Sequence, residues 1–130
     1  MDRGARADSG RSEGMSGRIR VAPKSERILD GITFASKAEM NRYAELRMME
    51  RGRLISDLIL QPRFLLQAGY QDGPVKVRAL EYVADFAYRE SHNPRRVVED
   101  VKGHLTDVYK LKRKLFRAKY PELDFREVKA

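Results

Sequence analysis

Apolar residues fall along the chain in short runs, and their spacing switches between the two-residue period of strands and the 3.6-residue period of helices. The first run, Ile28-Leu29-Asp30-Gly31-Ile32-Thr33-Phe34, is short and carries a glycine turn. Ser36-Lys37-Ala38-Glu39 then matches a capping box, in which serine and glutamate satisfy each other's backbone amides at a helix start. The pattern predicts a helix from Lys37 to Arg51 that stops at Gly52, read as a left-handed cap. Leu54 to Leu60 reads as a strand, interrupted at Gln61-Pro62 because proline has no ladder donor. Phe64 to Gln67 reads as another strand, and Gly69 to Pro74 as a turn.

Two further strands are expected, Val77 to Tyr88 and Arg96 to Lys102, joined by a hairpin through Glu90-Ser91-His92-Asn93-Pro94. From Leu105 to Lys119, Leu105, Val108, Leu111, Leu115 and Ala118 share one helical face, and Lys110, Arg113, Lys114 and Arg117 share another. Pro121 ends that helix, and Leu123 to Val128 alternates as a last strand. No repeat and no internal linker interrupts the order. A helix, three or four strands, a helix and a strand describe an α/β (α+β) domain, with a mixed central sheet of four to five strands flanked by helices.

Composition narrows this picture. The 130 residues are enough for one domain. With 42% hydrophobic and 35% charged residues, and no apolar stretch near the roughly 20 residues of a membrane span, a soluble protein with no membrane partner is expected. The polar, arginine-rich start has no apolar segment of a secretory signal, so a cytoplasmic location is the default. The chain has no cysteine and only His92 and His104, which excludes thiolate zinc sites and leaves oxygen-ligated Mg²⁺, or Mn²⁺ in its place, as the expected metal. Residues 1–27 are mostly Gly, Ser, Arg and Asp and read as a disordered basic arm, with a single domain over 28–130.

The net charge of +8 changes the picture once it is placed. Residues 1–27 hold seven basic and four acidic residues, and 105–119 hold six basic and one acidic, while the remaining segments nearly cancel. The positive potential therefore belongs to the arm and the second helix, the distribution of a surface that meets a phosphate backbone. A solvated helix face is the plainer reading.

The candidate chemistry lies in the charges that interrupt two apolar strands: Asp85 within Tyr82-Val83-Ala84-Asp85-Phe86, and Asp100 and Lys102 at the end of Val97 to Lys102. Asp100 and Lys102, two apart, share a face, and strand pairing can bring Asp85 beside them. Two acids and a lysine at one spot suit a magnesium-dependent phosphodiesterase. The plainer readings are a strand-end aspartate at 85 and an exposed salt bridge between 100 and 102. Glu99 is the alternative second acid, since a one-residue bulge would exchange it with Asp100. Glu39 is explained by the capping box alone, although Tyr43 and Leu46 on its face leave room for a metal role. His104 is a surface residue or a general base, and His92 carries no assignment. Thr106 and Tyr109 are candidates for binding phosphate.

Asp85 followed by Asp100-x-Lys102, with an upstream helical Glu39, resembles the PD-(D/E)XK nuclease superfamily. The wider string, Gly31 to Glu39, Gln61-Pro62-Arg63-Phe64, Tyr82 to Phe86 and Glu99 to Gly103 with Thr106, Tyr109 and Lys110 to Lys114, resembles a small phage-borne family of that superfamily. That family is filed as a domain of unknown function and is related to phage junction-resolving endonucleases. Ala84 stands where the nominal motif has proline.

The resemblance implies a restriction-endonuclease-like core and Mg²⁺ bound by Asp85, Asp100, Glu39 and the Val101 carbonyl. Lys102 would stand near the attacking water. It implies a DNA endonuclease, structure-selective for branched or four-way-junction DNA in phage recombination, with Lys110, Arg113, Lys114, Arg117, Thr106 and Tyr109 on the DNA. Symmetric cutting would imply a homodimer. The competing expectation is a DNA-binding or recombination accessory protein that does not cut.

Overall fold

The computed structural model describes residues 21–130, so most of the expected basic arm lies outside the described residues. The end of that stretch carries structure: Lys24–Glu26 form a 3-10 turn, and the Arg27 guanidinium donates to the Ala22 and Phe34 carbonyls. A two-residue hairpin follows, β1 (Ile28–Leu29) and β2 (Ile32–Thr33), turned at Asp30 and Gly31. Both turn residues have positive φ, 53° and 75°, the backbone of a type I′ turn. The Tyr43 hydroxyl donates to Asp30 at 2.8 Å and ties the hairpin to helix α1 (Lys37–Arg51). Ser36 caps α1 by accepting the Glu39 amide at 3.1 Å. At its other end the left-handed residue is Arg53 (φ 61°), and Gly52 stays at φ −79°.

The central sheet has four strands: β3 (Ile55–Leu60), β8 (Phe86–Glu90), β9 (Val97–Lys102) and β10 (Asp124–Lys129), in the order β10-β9-β8-β3. β10 runs parallel to β9, and the other pairs are antiparallel, so the sheet is mixed as expected. Between β3 and β8 come β4 (Arg63–Gln67), β5 (Tyr70–Asp72), β6 (Val75–Val77) and β7 (Leu80–Val83). They pair as a ribbon, β4 with β7 and β5 with β6. The expected Gly69–Pro74 turn is therefore largely strand, with Gly73 (φ 57°) at the bend. The expected long strand from Val77 to Tyr88 is three pieces.

Side-chain alternation sorts the sheet into two faces. Phe86, Tyr88 and Val97 pack with Tyr43 and Leu46 of α1. Ala87 and Val98 pack with Phe116 of helix α2 (Asp107–Lys119), backed by Phe64, Tyr109, Tyr120 and Phe125. The layers are helix, sheet, helix. α2 departs from its expected orientation: Val108, Leu111 and Leu115 are exposed, and Phe116 is buried. Aromatic rings decided this. Phe116 lies 4.6 Å from Tyr82, 4.9 Å from Phe64 and 5.6 Å from Phe125 between centroids, a larger packing area than an aliphatic stripe offers.

A buried ion pair crosses the α1 face. Arg42 forks onto Glu99 at 2.9 and 2.7 Å, and the Tyr88 hydroxyl also donates to this fully buried carboxylate. Removing one partner of such a pair strands the other charge. Arg42→Ala should therefore lower stability by roughly 3 kcal/mol in urea titrations, and Arg42→Ala with Glu99→Gln should recover part of that loss.

Candidate active site

The site begins where two strands break opposite each other. Leu60 pairs with Phe86 and Arg63 with Val83, so β3–β4 and β8–β7 form one antiparallel pair interrupted at Gln61-Pro62 and Ala84-Asp85. Proline supplies no ladder donor there, and Gln61 takes φ 50°. The Gln61 amide bonds the Asp85 carbonyl (2.9 Å) and the Ala84 amide bonds the Pro62 carbonyl (3.1 Å), so the break closes locally.

At this break Asp85 reaches across to β9. Its amide donates to the Glu99 carbonyl at 3.0 Å, and its Oδ2 accepts the Val101 amide at 2.7 Å. The carboxylate thus stands in for a strand that has turned away, and Oδ2 is committed in doing so. Burial raises the Asp85 pKa, opposed by the Val101 amide and then by Lys102.

Asp100 is buried on the α2 face, and among the described residues neither carboxylate oxygen has a hydrogen-bond partner. The Asp85 amide lies close enough to favour its charged form but is committed to the Glu99 carbonyl. Lys102 Nζ is 3.9 Å from Asp100 Oδ1 and 4.6 Å from the centre of the Tyr109 ring. Burial dominates, and the Asp100 pKa is pushed up to about 7.

Glu39 arrives from α1. Arg42 sits over Glu99, and one helical turn earlier Glu39 is carried toward the Val101 end of β9, buried. The Ser36–Glu39 amide bond forms, but no reciprocal bond fixes the Glu39 carboxylate to the Ser36 amide. Burial first, then the Asp85 charge, pushes the Glu39 pKa up to about 7, opposed by the Ala35 amide and then by Lys102, with Asp100 adding. The expected set Glu39, Asp85, Asp100 and Lys102 therefore shares one electrostatic field; Glu99 also raises the Asp85 pKa, but its carboxylate faces α1 and is held by Arg42.

Among the described residues no three histidine or acidic side chains close on a single point. What does fit a cation is the donor chemistry: Asp100 offers two buried, unpartnered oxygens, and Asp85 keeps Oδ1 free. A hard ion such as Mg²⁺ takes one or two carboxylates and completes its shell with carbonyl oxygen and water.

The α2 residues divide. Thr106 caps the helix by accepting the Tyr109 amide at 3.1 Å. Tyr109 and Arg113 both donate to Glu127 Oε2 at 2.6 Å, bonds that fasten α2 to β10. Lys110, Lys114 and Arg117 are exposed, with Arg117 5.5 Å from the Phe125 ring. Glu127 was missed from sequence, since its position in the last strand carries no motif; register places it beside Asp100, where its charge also raises that pKa.

The family model described as "Protein of unknown function (DUF1064)" matches residues 23–130. The chain belongs to the DUF1064 family. No curated protein and no solved structure matches this DUF1064 chain. Among its described residues no helix is long and apolar enough to cross a membrane.

The buried carboxyls make a prediction about the DUF1064 fold without any ligand. A carboxyl whose folded pKa is raised binds its proton more tightly folded than unfolded, so stability present below pH about 4 is lost as pH rises through about 7. Asp100→Asn removes one such group. In EDTA its melting temperature should exceed that of the wild type at pH 8, with the gap closing toward pH 4; an unchanged gap would contradict the burial of a free carboxylate.

Proposed function

We propose that this protein is a Mg²⁺-dependent endonuclease that hydrolyses DNA phosphodiester bonds, selective for branched or junction DNA. The carrying observation is Asp100, buried with both oxygens unpartnered, beside Asp85 and 3.9 Å from Lys102. A carboxylate in that state costs several kcal/mol in a fold that gains nothing from it.

Asp85 and Asp100, with the Val101 carbonyl, would hold the ion, which when bound supplies Lewis-acid activation of water and charge neutralisation at the scissile phosphate. Lys102, steered by the Tyr109 ring and Asp100, would stabilise negative charge developing on the phosphate. Glu39, with its pKa near 7, is suited to proton transfer at the α1 side of the site. Exposed Lys110, Lys114 and Arg117 would neutralise flanking phosphates without reading bases. The preference for junctions and a homodimeric state rest on the resemblance to junction-resolving nucleases.

A second reading, a DNA-binding or recombination accessory protein that does not cut, is favoured by one observation: three acidic side chains do not close on a point among the described residues.

Cleavage separates the two. With Mg²⁺ the protein should nick four-way-junction DNA in preference to linear duplex, and Asp85→Ala, Asp100→Ala and Lys102→Ala should each lose turnover by about 10²-fold or more while retaining binding. Glu99→Gln should keep cutting at a temperature where it stays folded. No cleavage of any DNA by the wild type would leave the accessory reading standing.

Binding has its own signature. Lys110→Glu with Lys114→Glu should weaken DNA affinity and flatten the slope of log K against log salt by about 0.9 for each phosphate no longer neutralised. An unchanged slope would remove α2 from the interface.

A further inference from the structure

α2 has two apolar sides and the fold uses one. Phe116 and Tyr109 bury against the sheet. On the order of 120° around the helix, Val108, Leu111 and Leu115 are 66%, 60% and 42% exposed. With Ala118 they recur at the alternating three- and four-residue steps of a coiled-coil seam, Val108 and Leu115 at a, Leu111 and Ala118 at d. The flanking positions are then Asp107 and Lys114 at g, and Lys112 and Lys119 at e. Three of four flanks are basic. Lys119 also reaches the Leu66 carbonyl at 3.4 Å.

We infer that the outer face of α2 is a docking seam for an amphipathic helix of a partner protein, with aliphatic residues at a and d and acidic residues at e and g. Charge excludes the simplest alternative, a second copy. In a parallel self-pair Asp107 attracts Lys112 of the other copy while Lys114 meets Lys119; in an antiparallel one Asp107 attracts Lys114 while Lys112 meets Lys119. Each attraction is cancelled by a lysine pair, whereas acidic flanks satisfy three of the four positions. A lipid surface fits less well. The stripe is three aliphatic side chains over roughly 10 Å of helix, without an aromatic anchor, and membrane affinity scales with buried apolar area. The receiving helix is already ordered by its Thr106 cap and by Phe116, so docking on it does not carry the cost of folding it. The seam is separate from the candidate cation site and does not depend on the nuclease reading, although its flank Lys114 is shared with the surface proposed to meet DNA.

The test uses a designed, fluorescein-labelled 21-residue peptide with Leu at a and d and Glu at e and g, titrated with the full chain by anisotropy. It should bind saturably, and Leu111→Ser with Leu115→Ser, which leaves the net charge unchanged, should weaken binding at least about tenfold. The same peptide with Lys at e and g should bind the wild type at least about tenfold more weakly, and Lys112→Glu, Lys114→Glu, Lys119→Glu should invert that preference. Four results would overturn the seam: no saturable binding, equal binding to the serine variant, self-association that the serine variant abolishes in sedimentation velocity, or tighter stripe-dependent binding to phosphatidylglycerol vesicles. Unfolding of the serine variant by circular dichroism would also overturn it, because an exposed stripe cannot be required by the core.

Discussion

Everything in the site depends on two hydrogen bonds made by one residue. The Asp85 amide bonds the Glu99 carbonyl and its carboxylate takes the Val101 amide, so main chain and side chain of one aspartate hold β9 where the β4–β7 ribbon leaves the sheet. A buried amide left without a partner at such a fork costs about 1–3 kcal/mol. Asp85 removes that cost and, in the same act, is fixed in orientation with one oxygen turned away from the ladder. Gln61-Pro62 on the facing strand makes the fork possible, because a proline cannot continue the pairing that would otherwise close it.

Adjacent acids on β9 show how strand alternation divides labour. Glu99 points to α1, where Arg42 and the Tyr88 hydroxyl satisfy it, and it behaves as a structural ion. Asp100, one residue on, points to α2 and is satisfied by nothing within hydrogen-bonding distance. The two carboxylates are equally buried, and among the described residues only the first is engaged by hydrogen bonds. In space the two adjacent acids differ through Arg42, a residue with no signal of its own in a helix rich in arginine, which bonds Glu99 and leaves Asp100 alone.

Much of this was legible in the sequence because local rules agreed with the fold. The capping box at Ser36, the Pro62 break and the two-residue spacing of Asp100 and Lys102 each placed an element or a face correctly. Period-two reasoning failed at Val77 to Tyr88, because apolar character continues across Ala84-Asp85 while the pairing does not. Helical-period counting went astray on α2, where aliphatic positions gave Val108, Leu111 and Leu115 the weight that belonged to Tyr109 and Phe116. Thr106, Tyr109 and Arg113 read as phosphate ligands from chemistry alone. Thr106 is the local N-cap of α2, while Glu127, the partner of Tyr109 and Arg113, is brought to them by tertiary register that no local pattern contains.

The aromatic wall that docks α2 also sets the state of the site. Phe64, Tyr82, Phe116 and Phe125 form a run of ring contacts behind β9, each pair contributing about 0.5–1.5 kcal/mol beyond its buried area. That packing helps to offset the cost of burying Asp100, whose pKa is raised by its burial. A smaller wall would leave Asp100 hydrated and its oxygens satisfied by solvent. A wall without the Lys102 ammonium over Tyr109 would leave no nearby charge to favour ionisation. Burial thus raises the Asp100 pKa to about 7, and a ligand that needs the ionised carboxylate has to offset the cost of removing that proton.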